Sequence, residues 1–234
     1  MLSAQDILRP ENNGIPQLFH VLLITHHLQK DPNAVIQKLR VTGSYTSLAA
    51  AKTAAYSCLF DAGYEKEWFT EYTVHHDSNN GIVVSATSPD GTTFSVQILN
   101  SVLDDDEPQD ASKLWNYNIE EHDQRISTEL YYVVQVKTHF DDEQLREINI
   151  EGTFLTYNAA REYAKGVLLS PTNGIDTESY AQYDEAGLDQ RDCGFGANVI
   201  VHAVGVNGEN FIVSVVKSQT MESVRLAEAA MRIS

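Results

Sequence analysis

Eight histidines in a chain of 234 residues bring metal binding to the front. Two pairs, His26-His27 and His75-His76, fall at the ends of strand-like segments, with Asp77 beside the second. Adjacent residues on a strand point to opposite faces, so such a pair does not deliver two ligands to one ion. A zinc site needs three or four converging ligands, usually oriented by an outer shell of hydrogen bonds. The chain has no His-x-x-x-His pair and no Cys-x-x-Cys, and among these pairs only His27 has an echo further along, His139. The pairs read as polar strand ends, and neither a metal nor another cofactor is expected.

His202 is the more specific candidate. If the turn at Asn207-Gly208 is a two-residue hairpin, His202 pairs with Val213 and shares a face with Phe211. The matching residue of an earlier hairpin, turning at Asp90-Gly91, is Ser85, which would pair with Val96. A polar group at an inward position in both hairpins is either satisfied by backbone or water, or it faces a ligand. Cys193 lies in Asp189-Gln190-Arg191-Asp192-Cys193-Gly194-Phe195-Gly196. Arg191 would favour its thiolate, as a nucleophile requires, whereas Asp192 opposes that. No partner histidine is assignable, so a free loop cysteine is the expectation. His202, Ser85, Cys193 and Arg191 are therefore the candidate ligand-facing residues, and none is assigned a catalytic role.

Other motifs are weaker. Gly194-Phe195-Gly196 with Gly187 lacks the spacing and the following helix of a phosphate loop. Gly-x-Ser-x-Gly and Gly-Lys-Ser/Thr are absent. The acidic run Asp104 to Asp110 lacks the alternating ligands and central glycine of a calcium loop, and reads as solvated charge. Trp68, Phe69 and Tyr72 nearly alternate along a strand, which points to core packing rather than to an exposed partner patch.

Composition sets the outer bounds. The hydrophobic share is 42%, near the globular norm, so a buried core is expected. A net charge of −17 without a cluster of Lys and Arg argues against nucleic acid. The apolar stretches around Val21 to Ile24 and Ile82 to Val84 are too short to span a bilayer, and no leader-like segment opens the sequence. Two cysteines, Cys58 and Cys193, without a secretion signal fit reduced thiols and a cytoplasmic location.

The elements that must position these residues occur twice. Leu18 to Ile24 is echoed by Leu130 to Val136, Gly43-Ser44-Tyr45 by Gly152-Thr153-Phe154, and Ala50-Ala51-Lys52 by Ala159-Ala160-Arg161. Ile82 to Ala86, with Asp90-Gly91 and Phe94, is echoed by Val199 to Ala203, Asn207-Gly208 and Phe211. The offsets are 112 residues at Leu18 and Leu130, 109 at the glycines and 117 at the phenylalanines. The second copy thus loses 3 residues early and gains 8 between its helix and its last hairpin.

Within each copy the pattern predicts a β-branched strand and a helical turn starting at Asp31-Pro32 or Asp141-Asp142. A glycine-interrupted strand follows, and then a helix capped by Ser47 or Thr156. The helix carries a small-residue stripe at Leu48, Ala51, Ala55 and Cys58, or Tyr157, Ala160, Ala164 and Val167. A third strand is expected around Trp68 to Val74 and near Tyr180 to Tyr183, before the final hairpin. Trp115 and Tyr117 could dock the acidic connector, and Met221, Val224, Ala227 and Met231 mark a tail helix.

The expected fold is therefore α+β: a tandem duplication of a mostly antiparallel sheet of about five strands under one alanine-rich helix, the copies related by a pseudo-twofold. Residues 1–101 form the first repeat with an N-terminal extension, 102–128 an acidic linker, and 129–234 the second repeat with a C-terminal helix. The expected function is non-catalytic: a protein-binding or scaffold protein, able to self-associate. Its contact surface would be a groove between the repeats or an exposed sheet edge. The alternative is a small-molecule-binding protein or enzyme with a single site near His202 and the 170–196 loop.

Overall fold

A computed structural model describes residues 17–27, 38–76, 81–102, 119–120, 124–139 and 142–233. Two compact units partition the chain: residues 1–128 with 218–234, and residues 129–217.

In the first unit the strands are β1 (Gln17–His27), β2 (Lys38–Tyr45), β3 (Glu71–Val74), β4 (Ile82–Thr87), β5 (Thr92–Val102), β6 (Ile119–Glu120) and β7 (Arg125–Ile126). They form one sheet in the order β3-β4-β5-β1-β2-β7-β6, with antiparallel pairing throughout. Helix α1 (Leu48–Asp61) follows β2 and packs on one face of the sheet. Its buried side is Ala51, Ala55, Cys58 and Leu59, so small residues bring the helix close to Val21, Leu23, Val84 and Val96. Phe94, Phe69 and Tyr64 complete this core with ring centroids 4.9–5.6 Å apart. Trp68 and Tyr72 join the same cluster, consistent with packing rather than an exposed patch.

The second unit contains β8 (Tyr131–His139), β9 (Asp142–Phe154), helix α2 (Tyr157–Gly166), β10 (Gln182–Glu185), β11 (Val199–Val204) and β12 (Glu209–Lys217). Its antiparallel sheet runs β10-β11-β12-β8-β9, and Ala160 and Ala164 of α2 pack on Val133, Val201, Val213 and Val215. Thr156 caps α2 by accepting the Ala159 N–H at 3.3 Å; Ser47, at the corresponding place before α1, makes no side-chain cap. In both units an aromatic ring closes over a glycine two residues earlier on the strand. A Cβ on Gly43 would stand 2.8 Å from Tyr45 Oη, and one on Gly152 2.7 Å from Phe154 Cε2.

Several expectations need correction. Both hairpins turn through three residues, not two: Ser88 N–H bonds Thr92 O and Gly205 N–H bonds Glu209 O, with Gly91 and Gly208 at φ 81° and 87°. This is a type I turn closed by a left-handed glycine. The register therefore slips by one residue, so Ser85 pairs with Ser95 and His202 with Ile212. A one-residue slip reverses the face, which puts Ser85 and His202 on the side away from the helices.

The helical turn expected at Asp141-Asp142 is replaced by strand, because Asp142 already pairs with His139. The region read as a plain linker contributes β6 and β7, which cover the outer edge of β2: Thr46 N–H bonds Gln124 O, and Arg125 Nη2 donates to Thr42 O at 3.0 Å. The tail helix α3 (Met221–Ile233), placed with the second repeat on sequence grounds, belongs to the first unit. The cause is a buried polar cluster. Arg40 Nε donates to Glu228 Oε1 at 2.9 Å, Tyr64 Oη to Glu228 Oε2 at 2.6 Å, and Arg40 Nη1 to Gln219 Oε1 at 3.2 Å. The turn at Asp31-Pro32, the acidic run 104–110, Trp115 and Tyr117 lie outside the described residues.

Candidate functional site

The four candidate residues separate into different environments. Ser85, in the first unit, meets His75, whose Nε2 is 2.9 Å from its hydroxyl. His202 is buried against the face of the second sheet opposite α2. Phe195 stacks on it with ring centroids 3.7 Å apart and planes at 13°. Its Nδ1 lies 3.5 Å from Asp184 Oδ2 and has no hydrogen bond among the described residues.

Cys193 packs against the α2 side of the second core, and burial pushes its thiol above the ordinary range, with Asp184 and Asp192 adding to the effect. A thiol held neutral is a poor nucleophile. The 187–198 loop thus presents Cys193 to one face of the sheet and Phe195 to the other, and His202 sits under a lid rather than in an open pocket. Among the described residues no three His, Cys, Asp or Glu side chains converge as a metal ion requires.

Arg191 is different, because it lines an open cleft of about 490 Å³ in the second unit. Tyr131 of β8, Tyr157 and Arg161 of α2, and Val215 and Lys217 of β12 form its floor and sides. Leu188, Asp189, Gln190, Arg191 and Asn198 form its outer wall. The first unit has a cleft of about 390 Å³ at the equivalent place. There Phe19 takes the position of Tyr131, Leu48 of Tyr157, Lys52 of Arg161, Gly81 of Asn198, Ile98 of Val215 and Asn100 of Lys217. Each pair obeys the sequence offset of its own element: 112 for the first strand, 109 for the helix, 117 for the last hairpin.

Even the backbone agrees at one corner. Gly81 and Asn198 both have left-handed φ, 73° and 63°, and their carbonyls accept the N–H groups of Ile98 and Val215. Asn is among the few side chains that adopt this conformation readily.

Compared with known protein families, curated proteins and solved structures, the chain shows no significant match.

The two clefts differ in chemistry. That of the first unit carries Lys52, His75 and His76 beside aromatic and aliphatic groups. In the second, Arg161, Arg191 and Lys217 line the cleft with one acid, Asp189, while a second acid, Glu129, pairs with Lys217. Arg161 Nη2 is held by the carbonyls of Ala186 and Gly187, and Arg191 Nε donates to Asn198 Oδ1 at 3.1 Å. Lys217 Nζ lies 2.7 Å from Glu129 Oε2, and Tyr131 Oη donates to Glu129 Oε1 at 2.8 Å. The Tyr157 hydroxyl is buried without a partner among the described residues. Each arginine is thus oriented by one edge of its guanidinium, which leaves other donors for a ligand.

The sequence pattern singles out Arg191, whereas Lys52 and Arg161 enter it only as part of the echoed Ala50-Ala51-Lys52 and Ala159-Ala160-Arg161 segments. Their signal was available: both echoed alanine pairs are followed by a cation, one position beyond the buried stripe.

Proposed function

We propose that the chain is a non-catalytic, cytoplasmic binding protein made of two copies of one α+β unit, and that it engages protein partners through a sheet edge. The duplication is supported by shared irregularities as well as by sequence. In each sheet the strands run third, fourth, fifth, first, second in chain order of the unit, with one helix between the second and third. Register shifts also recur at equivalent places: between Val21/Leu22 and Val133/Val134, and between Ile82/Val84 and Val199/Val201. A bulge is a specific local feature, so two that recur at matching positions favour common origin over chance. The free thiols of Cys58 and Cys193 suit a reducing compartment.

The observation that carries the binding reading is an asymmetry between the two sheets. In the first, β7 pairs with the Tyr45 end of β2, and Arg125 Nη2 reaches the Thr42 carbonyl. In the second, β9 occupies the corresponding place, and no strand pairs with its outer side among the described residues. An edge strand whose outer side pairs with no described strand is a template for an added strand, and the short β7 at the end of β2 supports this reading.

Light scattering after size exclusion, with crosslinking, tests the proposal on the full chain. Assembly with another chain, a second copy or a different protein, is expected. Neighbouring strand residues direct their N–H groups to opposite sides, so of Glu147→Pro and Ile148→Pro one removes only an outward donor. The variant that keeps the wild-type melting temperature is expected to lose the assembly. Persistent assembly in that variant, or a bare monomer with no crosslinked partner in native extract, would overturn the proposal.

A further inference from the structure

We infer that the cleft of the second unit binds a small molecule in which a carboxylate or phosphate is carried on an aromatic ring. The inference is independent of the sheet-edge reading, because it rests on different residues. Three of the chain's 16 Lys and Arg residues line this one cleft, in a protein of net charge −17. Spacing along the chain does not produce such convergence: Arg161 comes from the helix, Arg191 from the loop and Lys217 from the last strand.

Both guanidinium groups are fixed from behind, by backbone carbonyls and by Asn198, so they are oriented before a ligand arrives. Pre-oriented planar donors match the geometry of carboxylate and phosphate. The aromatic part of the ligand follows from Tyr131 and Tyr157, whose rings sit 6.1 Å apart at 72°. A third ring can pack on such a pair edge-to-face or offset. The volume of about 490 Å³ is in the range of small-ligand sites.

The negative surface of the whole protein does not defeat this. At physiological ionic strength charges are screened over about 8 Å, so a bound anion feels chiefly the local groups: Arg161, Arg191 and Lys217 against Asp189 and the Glu129 paired with Lys217.

The loop between β10 and β11 is 6 residues longer than the one between β3 and β4, 186–198 against 75–81, and it carries the Leu188–Arg191 wall. The first cleft keeps Lys52 but has Leu48 in place of Tyr157 and Asn100 in place of Lys217, so it lacks both the second cation and the tyrosine pair. The anion site therefore belongs to the second unit alone.

Isothermal titration of the full chain with phenyl phosphate, benzoate, inorganic phosphate and benzylamine tests this. Phenyl phosphate or benzoate should bind with a Kd below about 1 mM, and whichever is tighter identifies the oxyanion. Inorganic phosphate should bind at least about tenfold more weakly, since it forgoes the tyrosines, and benzylamine should not bind. Arg191→Ala lies on an exposed loop and is expected to weaken binding at least about tenfold, the scale of one charge-assisted hydrogen bond. Its melting temperature should be unchanged, and Lys52→Ala should bind as the wild type does. Equal affinity for benzylamine, binding undiminished in Arg191→Ala, or loss of binding in Lys52→Ala would each overturn the inference, as would the absence of binding by both ring anions.

Discussion

Replacing Glu228 by alanine is expected to destabilise the first unit by about 3–5 kcal/mol, because it strands the buried Arg40 guanidinium. Glu228 is fully buried in the tail helix and accepts from both Arg40 and Tyr64. The attraction between the charges is not in itself the source of this figure: bringing two ions out of water costs about as much as their pairing returns. Removing one partner leaves the other desolvated with nothing to offset it. For a protein of this size the corresponding fall in Tm is roughly 10 °C. Trp68 lies in the first unit and packs on Tyr64, the partner of Glu228, with ring centroids 5.1 Å apart. Fluorescence-detected urea unfolding therefore reports the unit concerned. A double variant, Arg40→Met with Glu228→Leu, should recover most of the loss, since it removes both charges and fills the space. If Glu228→Ala cost less than about 1 kcal/mol, the range of an exposed pair, the tail helix would not be anchored as described.

That cluster also marks the boundary of what the sequence could reveal. Strand and helix positions were legible because the signals are local: the alternation of Phe94, Val96 and Ile98 with Ser95 and Gln97 in β5, the short apolar runs of β4 and β11, and the alanine stripes of α1 and α2 each declare their own element. Turn residues were legible too, but turn length was not. Asp90-Gly91 and Asn207-Gly208 fit either a two-residue turn or the end of a three-residue one, since both demand a left-handed glycine. The choice is made by which partners the flanking strands find across the sheet. That single ambiguity moved His202 from an imagined pocket to a position beneath Phe195. Arg40 and Glu228 are 188 residues apart, and no local pattern connects them. The cleft was half visible: Arg191 lay in a loop where the two echoed sequence patterns differ most, whereas Lys52 and Arg161 were hidden by the alanines beside them.

A second large effect is expected from acid. His20 is completely buried, with Nδ1 2.7 Å from the Ser44 hydroxyl and Nε2 2.7 Å from that of Ser101. Burial lowers its pKa from 6.5 to about 3, because the charged imidazolium would have to exist without water. In the unfolded chain the same side chain returns to about 6.5. Between these values the unfolded state holds a proton that the folded state does not, so acid favours unfolding. Stability from this residue is fully present above pH 6.5 and is lost progressively as the pH falls toward 3, at about 1.4 kcal/mol per pH unit. Between pH 6.5 and pH 5 the loss should reach about 2 kcal/mol, before most carboxylates begin to titrate. Urea unfolding of the wild type at pH 7 and pH 5, followed by tryptophan fluorescence, should show this difference. His20→Gln keeps a donor and an acceptor between the two serines but cannot titrate, so its stability should change little over the same interval, even if it is lower at both ends. An equal pH dependence in the two proteins would mean that His20 is protonated in the fold, and that the Ser44–His20–Ser101 bridge carries a charge it has been assigned to exclude.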